Sequence, residues 1–211
     1  MAHQNTIETI PFDGGVLCLD FVNTVRNRKV PRVHNYFASY ANFLIWCRRV
    51  AILPVSVLDD LQEYSSQNPV EAEAALQQIV AVRENLYLLF SAIAAERVPT
   101  NAVTATFNQN LSNAMGQVFL AWQNTIFSFQ LQAKEKELTG PVKLILYSAY
   151  QTLLREDRRR IKECAECGWL FLDKTKNGKR QWCNPIYCGS TSKSRRYYHR
   201  QKEKEQNSGE A

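Results

Sequence analysis

Apolar residues recur at helical spacing along the first two thirds of the chain. In "VLCLDFVNTVRNR" (16–28), Leu17, Asp20, Phe21 and Thr24 fall on one face, which predicts a helix. "YFASYANFLIWCRRV" (36–50) predicts a second, with Tyr36, Tyr40, Phe43, Leu44 and Cys47 as its apolar positions. Pro54 can open a third helix through Leu58 and Leu61, and Pro69 a long fourth over 70–97. The buried stripe of the fourth is Leu76, Ile79, Val82, Leu86, Leu89, Phe90 and Ile93. Residues 100–115 predict a fifth helix. The period then changes. "QVFLAWQNTIFSFQLQ" (117–132) is rich in aromatic and branched residues around a polar Gln123-Asn124-Thr125, and predicts a β-hairpin. Gly140-Pro141 opens another helix, "VKLILYSAYQTLL", predicted to continue through "REDRRRIKEC".

That last helix leads into the segment richest in chemistry. Four of the six cysteines lie between positions 164 and 188, as Cys164-x2-Cys167 and Cys183-x4-Cys188. Two close pairs joined by a short loop suit a tetrahedral Zn²⁺ site, and four thiolates leave no position open for a substrate. The expectation is therefore one structural zinc ion per chain; an iron–sulfur cluster is the alternative that four cysteines leave open. "WLFLD" and "KRQWC" are predicted as the arms of a hairpin, with Asn177-Gly178 as its turn. The segment holds too few apolar residues to fold alone, so metal would supply the missing energy, and loss of Cys183 is expected to unfold it while sparing the helices before it.

Charge is concentrated in the same place. Residues 155–205 carry 15 Lys and Arg against 7 Asp and Glu, a net +8, whereas residues 1–154 sit at −1. Such asymmetry points to a polyanion partner for the C-terminal part. After Cys188, Ser190 or Ser192 can cap a helix that places Lys193, Arg196 and Arg200 on one face, with Arg195 alongside. One of Tyr197 and Tyr198 is expected to pack back on the zinc module. Double-stranded DNA is the favoured partner, contacted through Lys193, Arg195, Arg196 and Arg200; RNA and protein remain open.

The run Cys-x2-Cys, aromatic-rich hairpin, Trp-Cys-x4-Cys-Gly and then Lys and Arg resembles the CGNR zinc finger. That finger commonly ends bacterial proteins whose N-terminal part is the ABATE domain, regarded as a stress-induced transcription regulator. "GGVLCLDFVNTVRNR" (14–28) is similar to the opening signature of that domain, and "VRENLYLLFSAI" and "FNQNL" to its later helices. The resemblance spans nearly the whole chain. It implies zinc ligands at Cys164, Cys167, Cys183 and Cys188, a DNA-binding finger, and an N-terminal domain that senses a signal. The name-giving Cys-Gly-Asn-Arg reads Cys188-Gly189-Ser190-Thr191 here. The cysteine is kept, so metal binding should survive; the missing Arg bears on DNA affinity.

The expected fold class is α+β: a mainly α N-terminal domain with a β-hairpin (1–157), then a zinc-stapled hairpin plus helix (158–205) and a disordered tail (206–211). No apolar run approaches the roughly 20 residues of a membrane span, and the opening residues lack the pattern of a signal peptide, so the expected location is cytoplasmic. Residues 1–157 contain no P-loop, GxGxxG or nucleophile elbow, which favours a non-enzyme. His3 and His34 are isolated, and Cys18 and Cys47 read as core thiols. Asp20 and Asn23 interrupt an apolar helix. Either Asp20 pairs with Arg83, or Asp20, Asn23, Arg83 and Asn108 line a pocket for a small polar effector. A transcription regulator, expected to act as a homodimer, is the favoured function. The rival is an enzyme, or an RNA- or protein-binding chain, whose finger is only structural.

Overall fold

A computed structural model describes residues 5–31, 34–116, 118–123, 125–131 and 136–208. Six α-helices form its first part: α1 (Leu17–Val22), α2 (Tyr40–Arg49), α3 (Val55–Gln67), α4 (Pro69–Ala94), α5 (Asn101–Met115) and α6 (Gly140–Arg155). Pro69 occupies the first turn of α4, where its missing N–H costs nothing. Thr100 caps α5 by accepting from the Val103 amide. Leu76, Ile79, Leu86, Leu89 and Phe90 of α4 are buried, with Val82 and Ile93 packed at the margin, so the predicted stripe faces the core. Against it, Phe21, Phe37, Phe43 and Trp46 form an aromatic cluster with ring centroids 5.5–6.4 Å apart.

Between α5 and α6 the chain forms the expected antiparallel hairpin, β1 (Val118–Gln123) and β2 (Ile126–Leu131), with Trp122 opposite Phe127. Asn124 of its turn lies outside the described residues. A second hairpin, β3 (Ile161–Glu163) and β4 (Leu170–Leu172), belongs to the cysteine segment, and α7 (Ser190–Ser208) follows it. The helix thus runs through Ser208, beyond the start expected for a disordered tail; residues 209–211 lie outside the described residues. No helix among the described residues is long and apolar enough to cross a membrane.

Three predicted elements differ. The helix expected over 16–28 ends at Val22, because Asn23 is bonded to Leu170 of the cysteine segment, the Thr24 carbonyl accepts from the Tyr36 amide, and Val25 forms an isolated bridge with Asn35. The last helix of the first part does not continue into "REDRRRIKEC". It stops at Arg155; Asp157 then accepts from the Arg159 amide at 3.0 Å, Arg158–Arg160 form one 3₁₀ turn, and a strand begins. A capping Asp and three consecutive arginines offer no apolar face to prolong the helix. Finally, "WLFLD" does not pair with "KRQWC". Its partner is β3, in the register Ile161↔Leu172.

The buried core does not stop where the helices stop. Ile161, Cys164, Cys167, Trp169, Leu170, Phe171, Leu172 and Cys183 join the same hydrophobic cluster as the helical residues. Full burial of a side chain such as Phe171 is worth roughly 2–3 kcal/mol, and the cysteine segment obtains that energy in a core it shares with the helices.

Candidate metal centre and nucleic-acid interface

The first cysteine pair lies in a tight knuckle between β3 and β4. Cys164 accepts from Gly168 at 3.0 Å and donates to the Trp169 carbonyl at 2.7 Å, so the chain reverses within four residues. Gly168 makes this possible: its φ is +74°, and a Cβ there would lie 3.0 Å from the Arg28 side chain. The second pair comes from a different device. Asn184 accepts from the amides of Ile186 and Tyr187 at 3.0 and 3.2 Å, opening a single π-helical turn, Pro185–Gly189, that carries Cys188 beside Cys183. Asn184, rather than Ser190 or Ser192, therefore starts the helical run that becomes α7. Thr191, which stands where the finger family has Arg, donates its hydroxyl to the Tyr187 carbonyl at 2.9 Å.

The four sulfurs converge. All lie within 4.8 Å of one another, with Cys167–Cys183 at 3.5 Å and Cys183–Cys188 at 3.6 Å. Four thiolates about 2.3 Å from one ion in a tetrahedron stand about 3.8 Å apart, so the arrangement fits Zn²⁺ with every position filled. Neighbouring thiols of Cys167, Cys183 and Cys188 donate toward Cys164 and pull its thiol well below the usual range. The same bonds push the Cys167 and Cys183 thiols up, so the cluster favours a thiolate at Cys164 at the expense of these two.

The loop from Asp173 to Arg180 is organised by one fully buried carboxylate. Asp173 accepts from the Thr175 amide and hydroxyl at 3.0 and 2.6 Å, from the Arg180 amide at 2.9 Å and from the Lys162 ammonium at 3.0 Å. Burial pushes this carboxyl up, but the Thr175 hydroxyl, Lys162 and the two amides outweigh it and hold it well below the ordinary range. This explains why "KRQWC" is no strand: its start is bent back onto Asp173.

Residues 14–29 clamp the whole module. The Asn23 carboxamide, buried among apolar neighbours, donates to the Leu170 carbonyl at 2.8 Å and accepts from the Leu170 amide at 2.9 Å, imitating a strand partner for β4. Gly14 accepts from the Leu172 amide at 2.9 Å, and Cys167 accepts from the Arg28 amide at 2.9 Å. The Trp169 indole donates to the Val25 carbonyl at 2.7 Å, and Lys29 to the Ala165 carbonyl at 2.8 Å. From α4, the Ser91 hydroxyl donates to Glu163 at 2.7 Å.

Two family models match this chain: "Putative stress-induced transcription regulator" (ABATE) over residues 15–156, and the CGNR zinc finger over residues 160–201. The chain belongs to the ABATE family. No match was found among curated proteins. The four cysteines of this ABATE protein form a site able to bind one zinc ion.

The opening signature of the ABATE domain thus acts largely as a dock for the finger. Three of the side chains expected to line a pocket have partners of their own. Asp20 does not pair with Arg83; its Oδ1 accepts from the Gly14 amide at 2.8 Å, a turn so close that a Cβ on Gly14 would fall 2.7 Å from the Asp20 nitrogen. Burial raises the Asp20 carboxyl to about 6, only partly countered by that bond. Arg83, also buried, donates to Glu84 at 2.8 Å and to Asn35 at 2.7 Å. Asn23 is spent on Leu170, and Asn108 is exposed on α5. Asp20, Asn23 and Arg83 serve separate partners. Sequence reasoning missed Arg28, which pairs with Glu84 at 2.7 Å, donates to the Val22 carbonyl and stacks 3.8 Å over Tyr87. The polar run "NTVRNR" was its only signal. Cys18 and Cys47 are buried core thiols, as expected, with Cys18 pushed up to about 11 by burial.

On the far side of the metal site, α7 projects from the π-helical turn. Every side chain described from Lys193 onward is exposed, including Lys193, Arg195 and Arg200. Arg196 lies on the same helix. Neither tyrosine packs back on the finger: Tyr197 and Tyr198 are 61% and 71% exposed and meet edge to face, and the Tyr197 hydroxyl accepts from Gln201 at 2.9 Å. Arg195 is tied to the knuckle through Glu166 at 2.6 Å. A helix polar all round does not form to bury a face of its own.

Proposed function

We propose that this ABATE protein is a cytoplasmic, DNA-binding transcription regulator. Residues 158–205 would contact duplex DNA, and residues 1–157 would sense a signal. The observation that carries the reading is α7: a basic helix whose described side chains from Lys193 onward are exposed, held by the zinc turn at one end and by Arg195–Glu166 against the knuckle. Lys193, Arg195, Arg196 and Arg200 would meet phosphates; a rigid helix loses little entropy in doing so. Four sulfur ligands leave the metal no open coordination position, which favours a regulator over an enzyme.

A small-molecule effector fits the reading. A cleft of about 440 Å³ between α4, α5 and α6 is lined by Gln78, Asn110, Asn113 and the paired Glu137 and Lys143, amid apolar Ile79 and Val142. A homodimer is supported by the β1–β2 hairpin, which leaves Leu120, Trp122 and Phe127 more than half exposed.

The test is titration of full-length, zinc-loaded protein with labelled duplex DNA at several salt concentrations. Lys193→Gln with Arg200→Gln should make the slope of log affinity against log salt shallower by about two units, at roughly 0.9 per phosphate contact. Protein that ignores duplex DNA at about 50 mM salt would end the regulator reading.

A further inference from the structure

A second basic surface lies away from α7. A cleft of about 750 Å³ opens between the end of α4 and the start of the finger, lined among others by Arg97, Arg158, Arg159, Lys162 and Arg180. Only two carboxylates, Glu96 and Glu163, share it. Glu163 is already engaged by the Ser91 hydroxyl at 2.7 Å. Lys162 is held by Asp173, Arg159 by Asp157 at 2.8 Å, and Arg180 donates to the Trp182 carbonyl while lying 4.7 Å over the Phe171 ring. Arg97 and Arg158 differ. Both are exposed, and among the described residues neither guanidinium has a hydrogen-bond or ion-pair partner. Arg97 comes from the helical part and Arg158 from the 3₁₀ turn that begins the finger. Like charges gathered around a concavity repel one another, and its low-dielectric walls focus their potential outward; an anion relieves both.

The cleft borders the finger's knuckle. Ala165 of the knuckle lines it and accepts from Lys29, and the next residue, Glu166, holds Arg195 of α7. The knuckle thus stands between the cleft and Arg195 of α7, with Lys29 bonded to it.

We infer that this cleft is a second phosphate-binding surface, so that a DNA backbone crossing α7 and the knuckle continues onto Arg97 and Arg158. The inference rests on the reading of α7 as a DNA-contacting helix and extends it into the helical domain. It gives the two parts of the chain a shared ligand. Because Arg97 and Arg158 approach from opposite sides of the junction, backbone bound in the cleft would hold the finger against the helices.

The test uses the full-length zinc-loaded chain and a duplex of about 25 base pairs, with anisotropy read at several salt concentrations. With the four α7 contacts alone the slope is near −3.6; two further contacts bring it to about −5.4. Arg97→Gln with Arg158→Gln should return it to about −3.6 and weaken binding roughly eightfold per lost contact at 0.1 M salt. Both side chains are exposed and unpaired, so zinc content and the melting curve should not change. Should the wild type bind and lose affinity on Lys193→Gln with Arg200→Gln, while the Arg97 and Arg158 pair leaves slope and affinity unchanged, the cleft is not part of the interface and α7 acts alone. Should the wild type itself fail to bind duplex DNA, the function proposed above falls, and this extension with it.

Discussion

Asn23→Ala is the substitution that separates a finger tethered by sequence from one built into the helical core. Asn23 is 1% exposed, and its carboxamide meets both polar groups of Leu170, at 2.8 and 2.9 Å. Alanine leaves the Leu170 amide and carbonyl buried without partners. Each such group costs about 1–3 kcal/mol, offset in part because the Asn side chain no longer has to be desolvated. A net loss of about 2–4 kcal/mol follows, a large share of the roughly 5–15 kcal/mol that holds a typical domain. With a slope of about 2 kcal/mol per molar urea, the midpoint should fall by roughly 1–2 M. Urea unfolding followed by tryptophan fluorescence reads the stability, and release of zinc to a chromogenic chelator reads the finger. Both should change together, since Leu170 directly precedes the buried Phe171 and follows the Trp169 that closes the knuckle. Asn23→Asp should be as damaging at neutral pH, because its second oxygen would face the Leu170 carbonyl as another acceptor. A loss below about 0.5 kcal/mol with unchanged zinc release would refute the coupling.

Three other outcomes follow from the same contacts. Asp20 has its folded-state carboxyl raised to about 6, so its contribution is fully present below about pH 4 and is lost as pH rises through 6; Asp20→Asn keeps the Gly14 bond and should be the more stable protein above pH 7 by up to about 3 kcal/mol, equal to wild type below pH 4, in urea titrations at each pH. Asp173→Asn strips the charge from a buried carboxylate whose partner Lys162 is 24% exposed, and should cost about 2 kcal/mol and speed zinc release; the wild-type contribution should persist down to pH 4 and fade only as pH falls below the ordinary carboxylate range. Chelation of zinc should lower the melting temperature of the whole chain in one calorimetric transition, contrary to a finger that unfolds by itself, because Cys164, Cys167 and Cys183 sit in the core shared with the helices.

What was legible in the sequence was whatever announces itself locally. The two cysteine pairs carry metal geometry in their spacing, and the stripe from Leu76 to Phe90 carries α4 in its period. The β1–β2 hairpin shows in a change of period. The rest depended on partners far along the chain. Asn23 looked like an orphan in an apolar helix because its partner, Leu170, is 147 positions away. "RRRIKE" looked like the tail of a helix because nothing local says that Ile161 will pair with Leu172. Asp173 looked like the end of a hairpin arm, yet it gathers Thr175, Arg180 and Lys162 and redirects the loop. Opposite charge alone does not choose the partners of Asp20 and Arg83, which are Gly14 for the first and Asn35 and Glu84 for the second.

The central proposal is that a four-thiolate zinc site holds a basic helix in place for DNA. The most direct test is duplex DNA binding by the full-length chain at about 50 mM salt, measured zinc-loaded, after chelation, and after one equivalent of zinc is restored. Binding should be present, lost and recovered in that order. Binding that survives zinc removal unchanged, or is absent from the zinc-loaded protein, would contradict it.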